Sequence, residues 1–298
     1  LGGGKDSIVS AELLKRGAKK FSLFTVGESA IQKEVSLRIG IPTLQISRIL
    51  DSRLFSLPSA HNGHIPVSAI YAFAGIFAAL LYDYRFVIAS NEKSANYGNV
   101  RYLGKTINHQ WSKSQEFETM LQKYLKQFVT PDIHYFSLLR PFNEIDIVEL
   151  FSAHKKYFPY FSSYNKNFRM IEKPNKRWCG KCPKCAFIFA ALAAFLLKEQ
   201  VIQIFEKNLF ADKKLIPLYQ ELLGIRKFKP FECVGTPQET KNAFFFACEK
   251  FKHACVMDMF EKEVGNTRAV FRYSKTKTHI PNEFRSILKN VSSGSTVH

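Results

Sequence analysis

Apolar positions recur at helical spacing from the first residues, where Ile8, Val9, Leu13 and Leu14 share one face of a predicted helix over 6–17. The run Phe21 to Val26 reads as a short buried strand stopping at Gly27. A helix to about Arg38 follows, closed by Gly40 and Pro42, and Thr43 to Ile46 reads as a second strand. Pro66 opens a long apolar helix to Tyr84, and Phe86 to Ser90 is a third strand. Helices alternating with short apolar strands predict a parallel sheet covered on both faces.

The polar stretch Asn91 to Ser114 has little periodicity, and a loop of that length in a compact domain is usually functional. Helices are expected again at 115–128, 143–152 and 183–197, and the pattern after Glu199 is mostly helical with a break at 229–237. Residues 279–298 read as weakly structured, with a frayed tail at Ser292 to Thr296. The expected division is an α/β domain over 1–160 and, over 161–298, a cysteine segment leading into a helical region.

Composition narrows the class. With 298 residues, 46% of them hydrophobic, the chain can bury a full core. Its longest apolar runs, Ala186 to Leu197 and about Val67 to Leu81, fall short of the ~20 residues of a membrane span, so no membrane partner is expected. The formal charge of +18 attracts polyanions. Lysines and arginines form only short clusters such as Lys15-Arg16 and Lys19-Lys20, so nucleic acid is not the expected partner; an anionic nucleotide or UDP-sugar fits the charge equally well. Of the six cysteines, Cys179, Cys182 and Cys185 stand at strict two-residue gaps. That spacing suits a metal or reactive site in a reducing, cytoplasmic compartment better than a disulfide framework.

The string Gly2-Gly3-Gly4-Lys5-Asp6-Ser7 precedes the first helix. Glycines let successive backbone N–H groups turn inward as an anion nest, and the helix presents its positive end to the same spot. Lys5 adds a charge, Ser7 a donor, and Asp6 a carboxylate for a magnesium ion. The plainer alternative is a flexible terminus with Asp6 as a helix N-cap. A phosphate loop should follow a buried strand, so a strand before Leu1 is expected and the chain reads as a fragment. The segment Gly98 to Thr106 (GNVRYLGKT) spaces its glycines wrongly for the other common phosphate loop and is rejected.

The glycine string resembles the S-G-G-x-D-S signature of the PP-loop ATP pyrophosphatases, with Gly2 in the serine position. Further segments resemble the UDP-N-acetylmuramoyl-L-alanyl-L-glutamate epimerase (MurL) family: NGHIPVSAI (62–70), SNEKSANYGN (90–99), NHQWSKSQEFE (108–118), LLRPFNE (138–144), WCGKCPKC (178–185) and KPFECVGT (229–236). The resemblance implies a PP-loop, adenine nucleotide α-hydrolase-like sheet. It also implies an extra N-terminal region and a cytoplasmic, ATP-dependent isomerase of peptidoglycan synthesis. That enzyme would adenylate the terminal L-glutamate of UDP-MurNAc-L-Ala-L-Glu, release AMP and pyrophosphate, and leave D-glutamate. Another PP-loop enzyme, resembling 7-cyano-7-deazaguanine synthase or a tRNA-modifying enzyme, and a basic RNA-binding module are the competing readings.

Within that frame Gly2 to Ser7 would hold pyrophosphate, and adenine would lie near Val26 and Gly27. Glu92, at the end of the third readable strand, is a candidate for magnesium or catalysis, and His64 and His109 are acid/base candidates because imidazole titrates near neutral pH. Asn91, Asn96, Asn99, Lys113 and Arg140 are substrate-binding candidates. The cysteine triplet resembles part of the zinc site of the deazaguanine synthases. Zinc normally takes four ligands, and the upstream Phe161 to Tyr164 lacks a cysteine, leaving Cys233 or a histidine to complete the set. A catalytic thiol pair and inert cysteines beside a core helix are the other readings of the triplet.

Overall fold

The computed structural model describes residues 1–27, 29–59, 65–98, 100–164, 167, 176–226, 230, 232–265 and 278–292. The first helix, α1 (Lys5–Arg16), forms where periodicity places it and buries Ile8, Val9, Leu13 and Leu14. β1 (Leu23–Val26), α2 (Ala30–Ile39) and β2 (Thr43–Ile46) follow; Gly40 ends α2 in the left-handed conformation, and β1 and β2 pair in parallel. α3 (Val67–Leu81) leads to β3 (Phe86–Ala89). β3 pairs in parallel with β6 (His134–Ser137), a strand that the apolar pattern does not reveal. Mixed helices and small parallel strand pairs make this an α/β arrangement.

The described strands do not form one continuous sheet. Residues 100–107, expected as loop, make a small antiparallel hairpin of β4 (Val100–Tyr102) and β5 (Lys105–Ile107). Between β1 and β3 lies a cavity of about 450 Å³, lined by Leu23 and Phe24, by Phe86 and Val87, and by residues of α1 and α3. Gly75 lets α3 close on this region, since a Cβ there would meet Val87 at 3.2 Å.

α4 (Gln115–Tyr124) is capped by the Ser114 hydroxyl, and α5 (Glu144–Ser152) by a box of Asn143 and Asp146. α6 (Pro183–Phe195) is buried over nearly its whole length and packs on α9 (Pro237–Ala247). α7 (Lys198–Phe205), α8 (Ile216–Leu222) and α10 (Cys255–Glu263) complete a layer in which Phe189, Phe210, Phe244 and Phe251 stack at centroid distances of 4.9 to 5.7 Å.

One expectation fails in the C-terminal stretch. Residues 282–292 form a helix, α11 (Asn282–Ser292), that closes the bottom of the cavity. Phe284 packs on Phe86 at 5.0 Å and on Phe136 at 5.1 Å, and the Arg16 guanidinium donates to the Ile287 carbonyl. Long-range aromatic contact supplies the burial that the polar surroundings of this segment hide.

Candidate functional site

The glycine turn sits against α2. Gly3 has φ of 77°, and a Cβ there would come within 2.7 Å of Ile31, so conformation and space both require glycine. The Ser162 amide donates to the Gly3 carbonyl, the Ser7 hydroxyl to the Gly4 carbonyl. An added Cβ on Gly2 or Gly27 would meet nothing within 4 Å, so space is open beside both. Gly27 follows β1, and its amide donates to the Ile46 carbonyl; Val26 beside it is half-buried.

Lys5 does not extend into that space. Its side chain is fully buried, and its ammonium contacts Asp6 and lies 3.0 Å from Glu144 at the start of α5. Burial works against the Lys5 charge, but Asp6 and Glu144 outweigh it and raise its pKa above the ordinary lysine value. Glu144 also faces Lys184 of α6, at 3.5 Å. Burial opposes its ionisation, yet Lys5 and Lys184 hold the carboxyl down at about 2. Strand 3 delivers Glu92 to the same region; burial, with Glu144 and Asp6 nearby, pushes its carboxyl up against the pull of Lys113 and Lys5.

Lys113 and His109 enter from the long polar stretch. The Lys113 ammonium donates to the Cys233 sulfur at 3.7 Å, and His109 Nε2 lies 3.8 Å from that sulfur. Interaction with Cys233, then with Glu92, Asp6 and Glu144, holds the Lys113 ammonium above its usual pKa range. Lys184 fixes the Cys233 backbone by donating to its carbonyl. A largely buried seam of Asp6, Glu92 and Glu144 with Lys5, Lys113 and Lys184, in which Asp6 and Lys113 are half-buried, therefore ends at one thiol.

Arg140 braces the seam from behind. It is fully buried, donating to Glu118 at 3.0 Å and to the carbonyls of Glu92 and Lys113 at 2.8 Å each. With its fork spent on these partners, Arg140 positions the two residues and is not turned toward an open site. Glu239 performs similar work. It accepts from the Ser94 hydroxyl at 2.8 Å and from the amides of Ile145 and Thr236, tying α9 to the loop after β3.

Asn91 accepts through its carbonyl from Ser137 at 2.6 Å, and Asn96 through its side chain from the Gln115 amide at 2.7 Å. Both shape the loop. His64 and Asn99 lie outside the described residues. Glu144 and Lys184 are not singled out as site residues by the sequence, and Cys233 only as a possible fourth zinc ligand, although each falls inside a quoted segment: LLRPFNE, WCGKCPKC and KPFECVGT.

Cys179, Cys182 and Cys185 converge at the start of α6, their sulfurs within 4.8 Å of one another and Cys179 to Cys185 at 3.7 Å. Thiolates around a tetrahedral zinc stand about 3.8 Å apart, so the donors fit three corners of such a site. Among the described residues no fourth cysteine, histidine or carboxylate joins them, and Cys233 lies instead with Lys113 and His109. The described residues hold no other group of three such donors, so magnesium has no all-protein cage there.

The MurL N-terminal domain model matches residues 1–138, and the MurL C-terminal domain model matches residues 160–273. The chain belongs to the MurL family. Three curated relatives are each named UDP-N-acetyl-alpha-D-muramoyl-L-alanyl-L-glutamate epimerase. The protein from Xanthomonas oryzae pv. oryzae is 39% identical over 269 residues, covering 89% of this chain and 60% of the relative. Those of a Micromonospora species and Salinispora tropica are each 40% identical, over 252 and 242 residues, covering 84% and 80% of this chain. The chain thus spans 60%, 56% and 53% of the lengths of these relatives. No solved structure matches it. The first match includes Gly2 to Lys113 and the second Lys184 with Cys233, while Glu144 lies between the two matched ranges.

Proposed function

We propose that this chain carries the adenylating and epimerising site of a MurL-type enzyme acting on UDP-MurNAc-L-Ala-L-Glu. The observation that carries the reading is the glycine turn at the start of α1, backed by the buried Lys5–Glu144–Lys184 seam. The open space beside Gly2 and Gly27 is where a diphosphate and its nucleotide would lie in this reading. Asp6 and Glu92 are the carboxylates for Mg²⁺, which supplies charge neutralisation on the phosphates and characteristically binds one or two carboxylates plus phosphate oxygens. Zinc on Cys179, Cys182 and Cys185 would cross-link the start of α6 and takes no part in the chemistry. The reading places the enzyme in the cytoplasm, where nucleotide-linked wall precursors are made.

The chemistry follows from charge. An α-hydrogen beside an ionised carboxylate is hardly acidic, because its removal builds a second negative charge. Attack of the glutamyl carboxylate on the α-phosphate of ATP forms the acyl adenylate and expels pyrophosphate. The carbonyl then becomes an electron sink, the α-proton leaves, and a proton returns to the opposite face. Hydrolysis of the anhydride releases AMP and the D-glutamate product.

The fold side of the same reading is a PP-loop sheet, to which the parallel pairs β1–β2 and β3–β6 would belong. The functional test is incubation of the full-length protein with ATP, Mg²⁺ and UDP-MurNAc-L-Ala-L-Glu, followed by hydrolysis and chiral analysis of the glutamate. D-glutamate with stoichiometric AMP is expected; unchanged L-glutamate, or AMP formed on another acceptor, rejects the proposal.

A further inference from the structure

We propose that Cys233, held between Lys113 and His109, is the base that removes the glutamyl α-proton; the assignment rests on the epimerase reading above. The argument starts from what every other charged group in the seam is doing. Glu144 is shared by Lys5 and Lys184, and Asp6 is paired with Lys5. Arg140 is consumed by Glu118 and two backbone carbonyls. Glu92 is buried beside Glu144 and Asp6 and is assigned to Mg²⁺ in the reading above.

Cys233 stands apart from these. Its sulfur has no carboxylate partner among the described contacts; it accepts from the Lys113 ammonium and neighbours the His109 ring. The ammonium sets a positive charge directly against the sulfur, and the imidazole beside it offers a route for a proton. The residue is only partly buried, so it keeps an approach for substrate, and Lys184 pins its carbonyl. Lys113 is pinned in turn, because Arg140 binds its carbonyl. The sulfur is thus set on a rigid frame at the end of the same seam that backs the glycine turn.

The step balances simply. The Cα–H bond breaks as the S–H bond forms at Cys233, and the electron pair moves into the Cα–carbonyl bond with the charge on the acyl oxygen. A proton of solvent origin is added to the opposite face, and the Cys233 proton passes to His109 and then to water. His109 and Lys113 are positioning residues here: one relays the proton and the other stabilises the thiolate.

The test separates the half-reactions. The full-length protein is given ATP, Mg²⁺ and UDP-MurNAc-L-Ala-L-Glu in D₂O, and two rates are read: exchange of labelled pyrophosphate into ATP, and deuterium entry at the glutamyl α-carbon. For Cys233→Ser the ratio of deuteration to exchange falls at least about 100-fold, the ordinary worth of a positioned base. Independently of turnover, iodoacetamide at pH 7 modifies Cys233 several-fold faster in the wild type than in Lys113→Met. A Cys233→Ser variant with the wild-type ratio, or equal alkylation rates in the two proteins, overturns the assignment. A wild type without substrate-dependent pyrophosphate exchange instead overturns the functional reading, while the alkylation contrast still reports on the Cys233–Lys113 pairing.

Discussion

Helices α3 and α6 are almost equally apolar, and the chain uses them in opposite ways. α6 is buried on every side, with Lys184 to Ala194 all inside and Phe189 set among Phe205, Phe210 and Phe251. α3 buries its small residues, Ala72, Gly75, Ala78 and Ala79, with Ile76, against the strands, while Phe77 and Leu81 remain 58% and 64% exposed. Apolar content alone therefore does not fix burial. The sizes of the residues on each face do: small ones admit a close sheet, and large ones facing outward leave a layer that the described residues do not cover. The C-terminal region closes a core, the N-terminal region leaves edges and a cavity, and the polar seam lies where they meet. Glu144 joins them, with Lys5 of α1 on one side and Lys184 of α6 on the other.

The largest effect is expected at the seam and in the closed core. Glu144→Ala leaves buried lysines without their shared carboxylate and should cost about 3–5 kcal/mol in denaturant unfolding, with loss of pyrophosphate exchange. Phe189→Ala should cost a similar ~3–5 kcal/mol by opening a cavity among rings. A loss below about 1 kcal/mol at either position would mean that the regions are not joined and packed as described.

Acid is the next lever. Glu144 is held at about 2 in the fold, below the ordinary carboxyl value, so the stability it contributes is present above that ordinary value and disappears as pH falls toward 2. Unfolding midpoints measured from pH 5 to pH 2 should fall by the equivalent of about 3 kcal/mol, and Glu144→Gln should remove most of this dependence. The smallest effect belongs to α3: Phe77→Ala on its exposed face should change stability by less than about 1 kcal/mol. A loss as large as that at Phe189 would erase the contrast between the two helices.

Periodicity made α1, α2, α3, α5 and α6 legible because each carries an apolar stripe or run. β6 was not: His134 to Ser137 is a four-residue strand after a proline turn, and its burial comes from β3 alongside it. α11 was missed for a related reason, since Phe284, Ile287 and Leu288 have helical spacing but sit in a polar stretch whose partners are far away in sequence. In the site, Lys5, Glu92, Lys113 and His109 were visible as chemistry-bearing residues in polar segments. Their partnerships were not. That Glu144 takes Lys5 and Cys233 takes Lys113 depends on helices and loops meeting at the carboxyl ends of the strands, which no local spacing encodes. Arg140 shows the opposite case, a residue whose chemistry suggested a ligand and whose burial makes it a brace.

The most direct test of the central claim is exchange of labelled pyrophosphate into ATP by the full-length protein, with and without UDP-MurNAc-L-Ala-L-Glu. The account predicts exchange only when that acceptor is present, and its loss in Gly3→Val and in Lys5→Met. Release of ADP and phosphate, or undiminished exchange in both variants, would contradict it.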